Sequence, residues 1–320
     1  MSAFPRREMH VAPEPTAAAP TSSRSCVDAL LYVIVRERVS LMINKQTAPQ
    51  DLSTLAELVE GNAVEGCLAW AAWGELELHE TRELTWTITS IPFPLLNNVL
   101  RAQLPSDGLD DHVRAALSPF KQRELPCAWW VGPSSQPSGL ADGLEAYGMA
   151  HAATMVGMAA DLGTLRDDMP IPRGVEISEV VDEERLSTWC GVLGQVHAFP
   201  DLALGPWRRL HEAMGLGPGR PWRHFVATLD GRAVATSSLF MGRRAVSVAN
   251  IATARDVRGR GIGRAMSLYP LLEAKRQGQP LATLCASRGA VALFRRLGFE
   301  HACELELFLA PSLVPDSESL

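Results

Sequence analysis

A chain of 320 residues, 47% of them apolar, holds enough material for two ordinary domains with buried cores. Its formal net charge of -6 argues against a nucleic-acid binder, which needs a clustered basic face. Membrane and secretory classes fall away too: the apolar run 29–35 is cut by Arg36-Glu37-Arg38 and is too short for a bilayer, and no apolar segment follows Arg6-Arg7.

In chain order, residues 1–26 are rich in Pro, Ala and Ser and read as a disordered tail. Residues 27–50 carry β-branched runs without an obvious partner, so 1–50 is taken as tail plus N-terminal extension, with an added strand pair as the other possibility. A first domain is expected over 51–163, with helices at 54–73, 110–123 and 139–147 and strands at 84–91 and 126–131. The segment 164–174, TLRDDMPIPRG, has two prolines and several charges and reads as the linker.

Signals sharpen across a second domain at 175–310, with a short tail at 311–320. A strand at 175–180 precedes a helix capped by Asp182 and running to about 196. Strands at 224–229 and 233–240 are joined by Asp230-Gly231, a tight-turn pair, and a third follows at 245–253. A glycine loop then opens a helix that Gly278 stops, with Pro270 expected to kink or break it. Strand 280–286, helix 290–297 and strand 301–309 close the domain.

The six cysteines, Cys26, Cys67, Cys127, Cys190, Cys285 and Cys303, show no metal spacing and read as reduced thiols of a cytoplasmic protein, with no metal expected. Cys285 beside Ser287 reads as packing rather than as a nucleophile. Pro126–Val131 with Tyr147-Gly148-Met149-Ala150-His151-Ala152 echoes Pro280–Cys285 with Leu297-Gly298-Phe299-Glu300-His301-Ala302. Duplication or chance both account for the echo.

The loop VRGRGIGRAM, 257–266, carries the chemistry. The first N–H groups of a helix lack internal acceptors and sit at the positive end of the dipole. Glycines let an anion approach them, and Arg258, Arg260 or Arg264 add charge. There is no G-x-x-x-x-G-K-[ST], and Gly259, Gly261 and Gly263 do not make G-x-G-x-x-G, so nucleotide loops of those kinds are excluded.

Arg258-x-x-Gly261-x-Gly263 matches the [QR]-x-x-G-x-[GA] loop of the GNAT N-acetyltransferases. Ser287-x-x-Ala290-x-x-Leu293-Phe294-x-x-Leu297-Gly298-Phe299 matches a second element of that superfamily in part. The chain therefore resembles GNAT proteins over its second domain, and as a whole resembles tandem bacterial ones with a degenerate first copy. The resemblance implies a mixed α/β (α+β) fold of two GNAT-like domains, each a mostly antiparallel sheet flanked by helices. It also implies acetyl-CoA as co-substrate. Backbone of Ile251, Ala252 and Thr253 would pair with pantetheine, the N–H groups of Arg258, Gly259, Arg260, Gly261, Ile262, Gly263 and Arg264 would hold pyrophosphate, and Ser287 and Phe294 would border the thiol. In the first copy Pro92–Leu100 takes the place of the glycine loop, so no CoA is expected there.

Two departures follow. The family's common thiolate-protonating Tyr is Phe294 here, and the common strand Glu is absent from AVSVANIAT. Asn250, His197 and Ser287 are the catalytic candidates, with His224 an alternative proton carrier and Trp207 and Trp222 either acceptor-lining or core. The expected function is an acyl-CoA-dependent N-acyltransferase acting on a small-molecule amine by direct attack, in a monomer or homodimer, with no nucleic-acid or membrane partner. A non-catalytic CoA-binding sensor, and a decarboxylase or O-acyltransferase on the same fold, are the alternatives.

Overall fold

The computed structural model describes residues 52–165 and 171–310. The expectations for 1–50, for 311–320, for the middle of the linker and for Cys26 lie outside the described residues. The first half runs α1 (Leu52–Leu68), β1 (Glu77–Glu80), β2 (Leu84–Ile88), β3 (Asn98–Ala102), α2 (Leu109–Gln122), β4 (Ala128–Val131), α3 (Leu140–Ala146) and β5 (Ala150–Asp161). The second runs β6 (Val175–Glu179), α4 (Glu183–His197), α5 (Asp201–Ala213), β7 (Trp222–Leu229), β8 (Arg232–Met241) and β9 (Val246–Thr253). It ends with α6 (Ile262–Arg276), β10 (Leu281–Ala286), α7 (Val291–Arg296) and β11 (Glu300–Leu309).

Local signals act as read. The Asp182 side chain accepts the Arg185 N–H at 2.8 Å to cap α4, and Glu183 and Glu184 occupy its first turn. Asp230 and Gly231 both take positive φ, which suits the right-handed twist of the β7–β8 hairpin. α6 runs as one helix through the buried Pro270, so of the two expected effects the break does not occur. Four elements went unread: β1, β3, β5 and α5, the last because Gly205 and Pro206 fall inside it.

All eleven strands form one sheet in the order β1-β2-β3-β4-β11-β5-β10-β9-β8-β7-β6. Only β3–β4 and β9–β10 are parallel; the other pairs are antiparallel. The mixed α/β architecture is the expected one, with the halves joined edge to edge rather than closed separately. They exchange last strands: β5 pairs with β10 of the second half, and β11 with β4 of the first. The two exchanged strands pair with each other at the centre. There a Cβ on Gly157 would lie 2.5 Å from Cys303 Sγ and 2.8 Å from Val59 Cγ1, so only glycine lets β5, β11 and α1 meet.

Alternation along the strands sorts the core. On one face α1, α4 and α5 cover Met155, Ala159, Leu305, Phe240 and Ala252. On the other, α6 and α7 cover Val156, Met158, Val246 and Leu284, while α2 and α3 cover Val99, Trp129 and Phe308. Helix α1 belongs to the first half by sequence but reaches the second. Leu58 packs with Ala245 and Leu281, Asn62 Nδ2 donates to Thr283 Oγ1 at 2.6 Å, and Glu65 meets Arg243 Nε at 3.0 Å.

The echoing segments occupy matching places. Each gives a strand, a short helix, a glycine of positive φ (Gly148 +95°, Gly298 +91°) and an exchanged strand.

Candidate functional site

The site is a gap between two strands that begin parallel. β9 and β10 pair only at Val246↔Ala282 and Ser247↔Thr283, yet β9 continues to Thr253 and β10 to Ala286. Past that point the strands splay. On the β8 side, Thr236 faces Ala252 while Ser238 faces Ala249, so Asn250 and Ile251 together oppose Ser237. This is a β-bulge, and Asn250 sits in it with φ +53°.

The bulge turns Asn250 onto the α4–α5 face. Its Nδ2 donates to Ser238 Oγ at 3.1 Å, and Ser238 Oγ lies 2.8 Å from His224 Nδ1. Asn250 is 0% exposed, and its Oδ1 has no hydrogen-bond partner among the described residues. Burial drives the His224 pKa down to about 3, so this imidazole stays neutral. His211, 4.5 Å away between ring centroids, is also pushed well below the usual value, by burial first and by His224 second. Trp189 and Trp207 pack edge-on against His211, and Trp207 and Trp222 are both core residues.

The glycine loop follows β9. Residues Arg255–Val257 make a single 3-10 turn, then Gly259 (φ +79°) and Gly261 (φ +82°) bend the chain into α6. A side chain at either glycine would strain this backbone. A Cβ at Gly259 would meet nothing within 4 Å, and one at Gly261 only Pro172 Cγ at 3.7 Å, so the loop is open above the helix end. The opening N–H groups of α6 thus follow two glycines at which no Cβ stands in the way of an anion.

Charge around the cradle is positive: residues 255–264 contain four arginines and one aspartate. Arg258 Nε donates to the Thr253 carbonyl at 3.0 Å, which ties the loop to the end of β9. Asp256 pairs with Arg232, whose hydrogen bond holds the carboxyl below its usual range. Arg255, Arg258, Arg260 and Arg264 are exposed. The cradle and its charge suit a pyrophosphate-bearing co-substrate.

The other candidates are dispersed. Ser287 follows β10 and is half-buried, next to the splay. Phe294 is 2% exposed and packs edge-on against Phe299, centroids 5.8 Å apart, as part of the core under α6 and α7. His197 ends α4 and lies against Phe199 at 6.4 Å. Burial pushes the Cys285 thiol up, which agrees with packing rather than nucleophilic chemistry.

The first half also has a splay: β3 and β4 pair only at Asn98↔Ala128 and Val99↔Trp129. The segment in the matching place, between the splaying strand and the following helix, is 103–108, between β3 and α2, and not 92–100, which leads into β3 and includes its first three residues. Gly108 (φ +69°) opens α2 as Gly261 opens α6. The charge is reversed, however: Asp107 precedes the helix and Asp110 and Asp111 fill its first turn. Those carboxylates already answer the dipole and repel a phosphate.

One buried charged residue went unread. Glu60, on the sheet-facing side of α1, is 5% exposed and accepts hydrogen bonds from Ser134 N at 2.8 Å and Ser134 Oγ at 2.9 Å. Glu60 belongs to no motif; its neighbours Leu58 and Val59 on the buried side of the helix were the one available signal. Among the described residues no group of His, Cys, Asp or Glu is arranged to hold a metal, and no helix is long and apolar enough to cross a membrane.

Comparison with known proteins agrees on the class of fold. Residues 220–301, from the start of β7 into β11, match the model of the acetyltransferase (GNAT) domain. A GCN5-related N-acetyltransferase from Kribbella flavida superposes with a TM-score of 0.60 at 18% identity, covering 80% of this chain and 95% of that one. One from Sphaerobacter thermophilus gives 0.55 at 14% identity over 81% and 91%. A tandem GNAT protein from the clavulanic acid biosynthesis pathway gives 0.51 at 16% identity over 74% and 83%. The fold is the GNAT fold, and the domain match falls on the half with the glycine cradle. No curated protein matches the sequence.

Proposed function

We propose that the protein is an acyl-CoA-dependent N-acyltransferase that moves an acetyl group from acetyl-CoA to the amine of a small molecule within a ternary complex. The observation that carries this reading is the open, arginine-rich cradle at the N-terminus of α6, placed directly after a bulged strand that splays from its parallel neighbour. Bound there, acetyl-CoA supplies an activated acyl carbon and a thiolate leaving group.

The chain's own residues then divide the work. N–H groups from 258 to 264, with the arginines, hold the pyrophosphate. The backbone of Ile251–Thr253 pairs with the pantetheine amides, and Ser287 and Phe294 border its thiol end. Asn250 Oδ1, a buried acceptor with no partner among the described residues, orients the amine N–H. His224, neutral through the ordinary pH range, does not carry a fixed positive charge into the site. Within the same reading, the first half is a second GNAT copy that has lost its phosphate cradle; its splay, its Gly108 helix entry and the sequence echo support that.

A second reading has its own support. Phe294 has no proton for a leaving thiolate, and β9 carries no carboxylate, features that fit a CoA-binding sensor without turnover. Calorimetric titration with acetyl-CoA, followed by release of free thiol on addition of amines, separates the two. Binding with turnover supports the enzyme, binding without turnover the sensor, and no binding refutes both.

A further inference from the structure

Three neighbouring strands carry one polar side chain each behind the bulge: His224 on β7, Ser238 on β8 and Asn250 on β9. All three are buried. His224 and Ser238 are cross-strand partners, and the bulge at Asn250 begins just past the Ser238↔Ala249 pair. The side chains form an unbroken chain, Asn250 Nδ2 to Ser238 Oγ at 3.1 Å and Ser238 Oγ to His224 Nδ1 at 2.8 Å.

Proton counting gives this chain a direction. The Ser238 hydroxyl has one proton to donate, and Asn250 Nδ2 can only donate. With Nδ2 donating into Oγ, the hydroxyl proton is satisfied at His224 Nδ1 when that nitrogen is bare. A proton on Nδ1 would bring two donors to Oγ and leave the hydroxyl proton without an acceptor among the described residues, which is costly in a buried place. Burial keeps His224 neutral, so one ring nitrogen is bare. Trp189, His211 and Trp222 surround the ring, with centroids at 4.6, 4.5 and 6.3 Å.

The opposite order is equally complete: His224 Nδ1–H donates to Ser238, and Ser238 donates to the oxygen of an Asn250 amide turned over. The two orders differ in what they leave free at Asn250. The first leaves Oδ1, an acceptor, as the end without a partner among the described residues. The second would leave the Nδ2 donor.

Resting on the acyltransferase reading, we propose that His224, acting through Ser238, is a positioning residue that holds the Asn250 amide with Oδ1 as its free end, so that this position takes an N–H or O–H donor and disfavours a carboxylate. An amine held by its N–H keeps its lone pair for the acyl carbon. Ser238 and His224 touch neither reactant; they set the polarity of the residue that does.

The test is nitrogen NMR of the full chain carrying isotope-labelled histidine, with the His224 signals identified by their loss in His224→Gln. The expected wild-type ring has a bare, hydrogen-bonded Nδ1 and a protonated Nε2. Asn250→Asp tolerates the positive φ and, at a pH where its carboxyl is ionised, can only accept. The chain must then reverse, with Nδ1 now carrying a proton, and adding Ser238→Ala to this variant should abolish the reversal. A wild-type proton on Nδ1, or a ring indifferent to Asn250→Asp, overturns the proposal. Should Asn250→Asp fail to fold, Ser238→Ala alone decides: the Nδ1 signal shifts to that of a bare nitrogen without a hydrogen bond, and an unmoved signal overturns the proposal. A protein that shows the reversal yet fails to bind acetyl-CoA keeps the positioning chain while refuting the acyltransferase reading.

Discussion

Gly261 separates two contributions of the α6 N-terminus that usually move together. Its φ of +82° strains any side chain, but Asn and Asp tolerate the left-handed region best, and a Cβ there meets only Pro172 Cγ at 3.7 Å. Gly261→Asn and Gly261→Asp therefore share their strain and shape and differ by one charge. Asp at the positive end of α6 stabilises the fold relative to Asn by about 0.3–1 kcal/mol. Against a bound pyrophosphate the sign reverses. A charge about 6 Å from each of two phosphates, at an effective dielectric of about 40–80 for an exposed loop, costs roughly 1.4–2.8 kcal/mol by Coulomb's law, or about 10- to 100-fold in affinity. The assay is acetyl-CoA titration of both variants, with thermal melting beside it. Asp melting at or above Asn while binding at least tenfold more weakly is the expected pair of results, and the affinity gap should shrink in high salt. Equal affinity of the two variants would refute the cradle as the phosphate site.

Burial of neutral imidazole makes stability depend on pH. In the unfolded chain His224 protonates near 6.5, whereas in the fold it does so only near 3, so its contribution is complete above pH 6.5 and is lost as pH falls toward 3. Between pH 7 and 4.5 that is about 2.5 kcal/mol, and urea unfolding of His224→Gln should show a correspondingly flatter pH dependence; an unchanged slope contradicts the assignment. Gly157→Ala forces β5 away from Cys303 and Val59 and should cost about 1–3 kcal/mol. Adding Cys303→Ala should recover part of that in chemical denaturation, and strict additivity would speak against the contact. Finally, a protein cleaved at a protease site engineered into 166–170 should still elute as one species under native conditions, because β5 is held by β10 and β11; two separate peaks would contradict the exchange.

What could be read from sequence was local. Glycine and arginine spacing in 257–264 depends only on neighbours along the chain, as does the cap at Asp182, and both fall where expected. The loop of the first half was misplaced because β3 has only five residues, NVLRA, and the prolines at 92 and 94 drew attention instead. Asn250 could be singled out as a polar residue in an apolar strand. Its bulge could not, since that depends on which residues of β8 it faces. The exchange of β5 and β11 was hidden for the same reason: either strand could pair with β4 or with β10, and only their mutual register decides. Glu60 was hidden most deeply, because its hydrogen-bond partner Ser134 lies far along the chain.

The exchange also bears on why a half that lacks a phosphate cradle is kept. If the two halves were closed domains in series, the acidic loop of the first would leave it free to drift or disappear. Instead its α1 packs over β10 through Asn62 and over the β8–β9 turn through the Glu65–Arg243 pair, and its β5 covers the edge of β10 that would otherwise stand unpaired. Removing it would expose a strand edge and uncover the face on which Asn250 and Cys285 lie. The first half therefore covers part of the sheet of the second. That constraint acts on α1, β4 and β5 rather than on the acidic loop at 103–108.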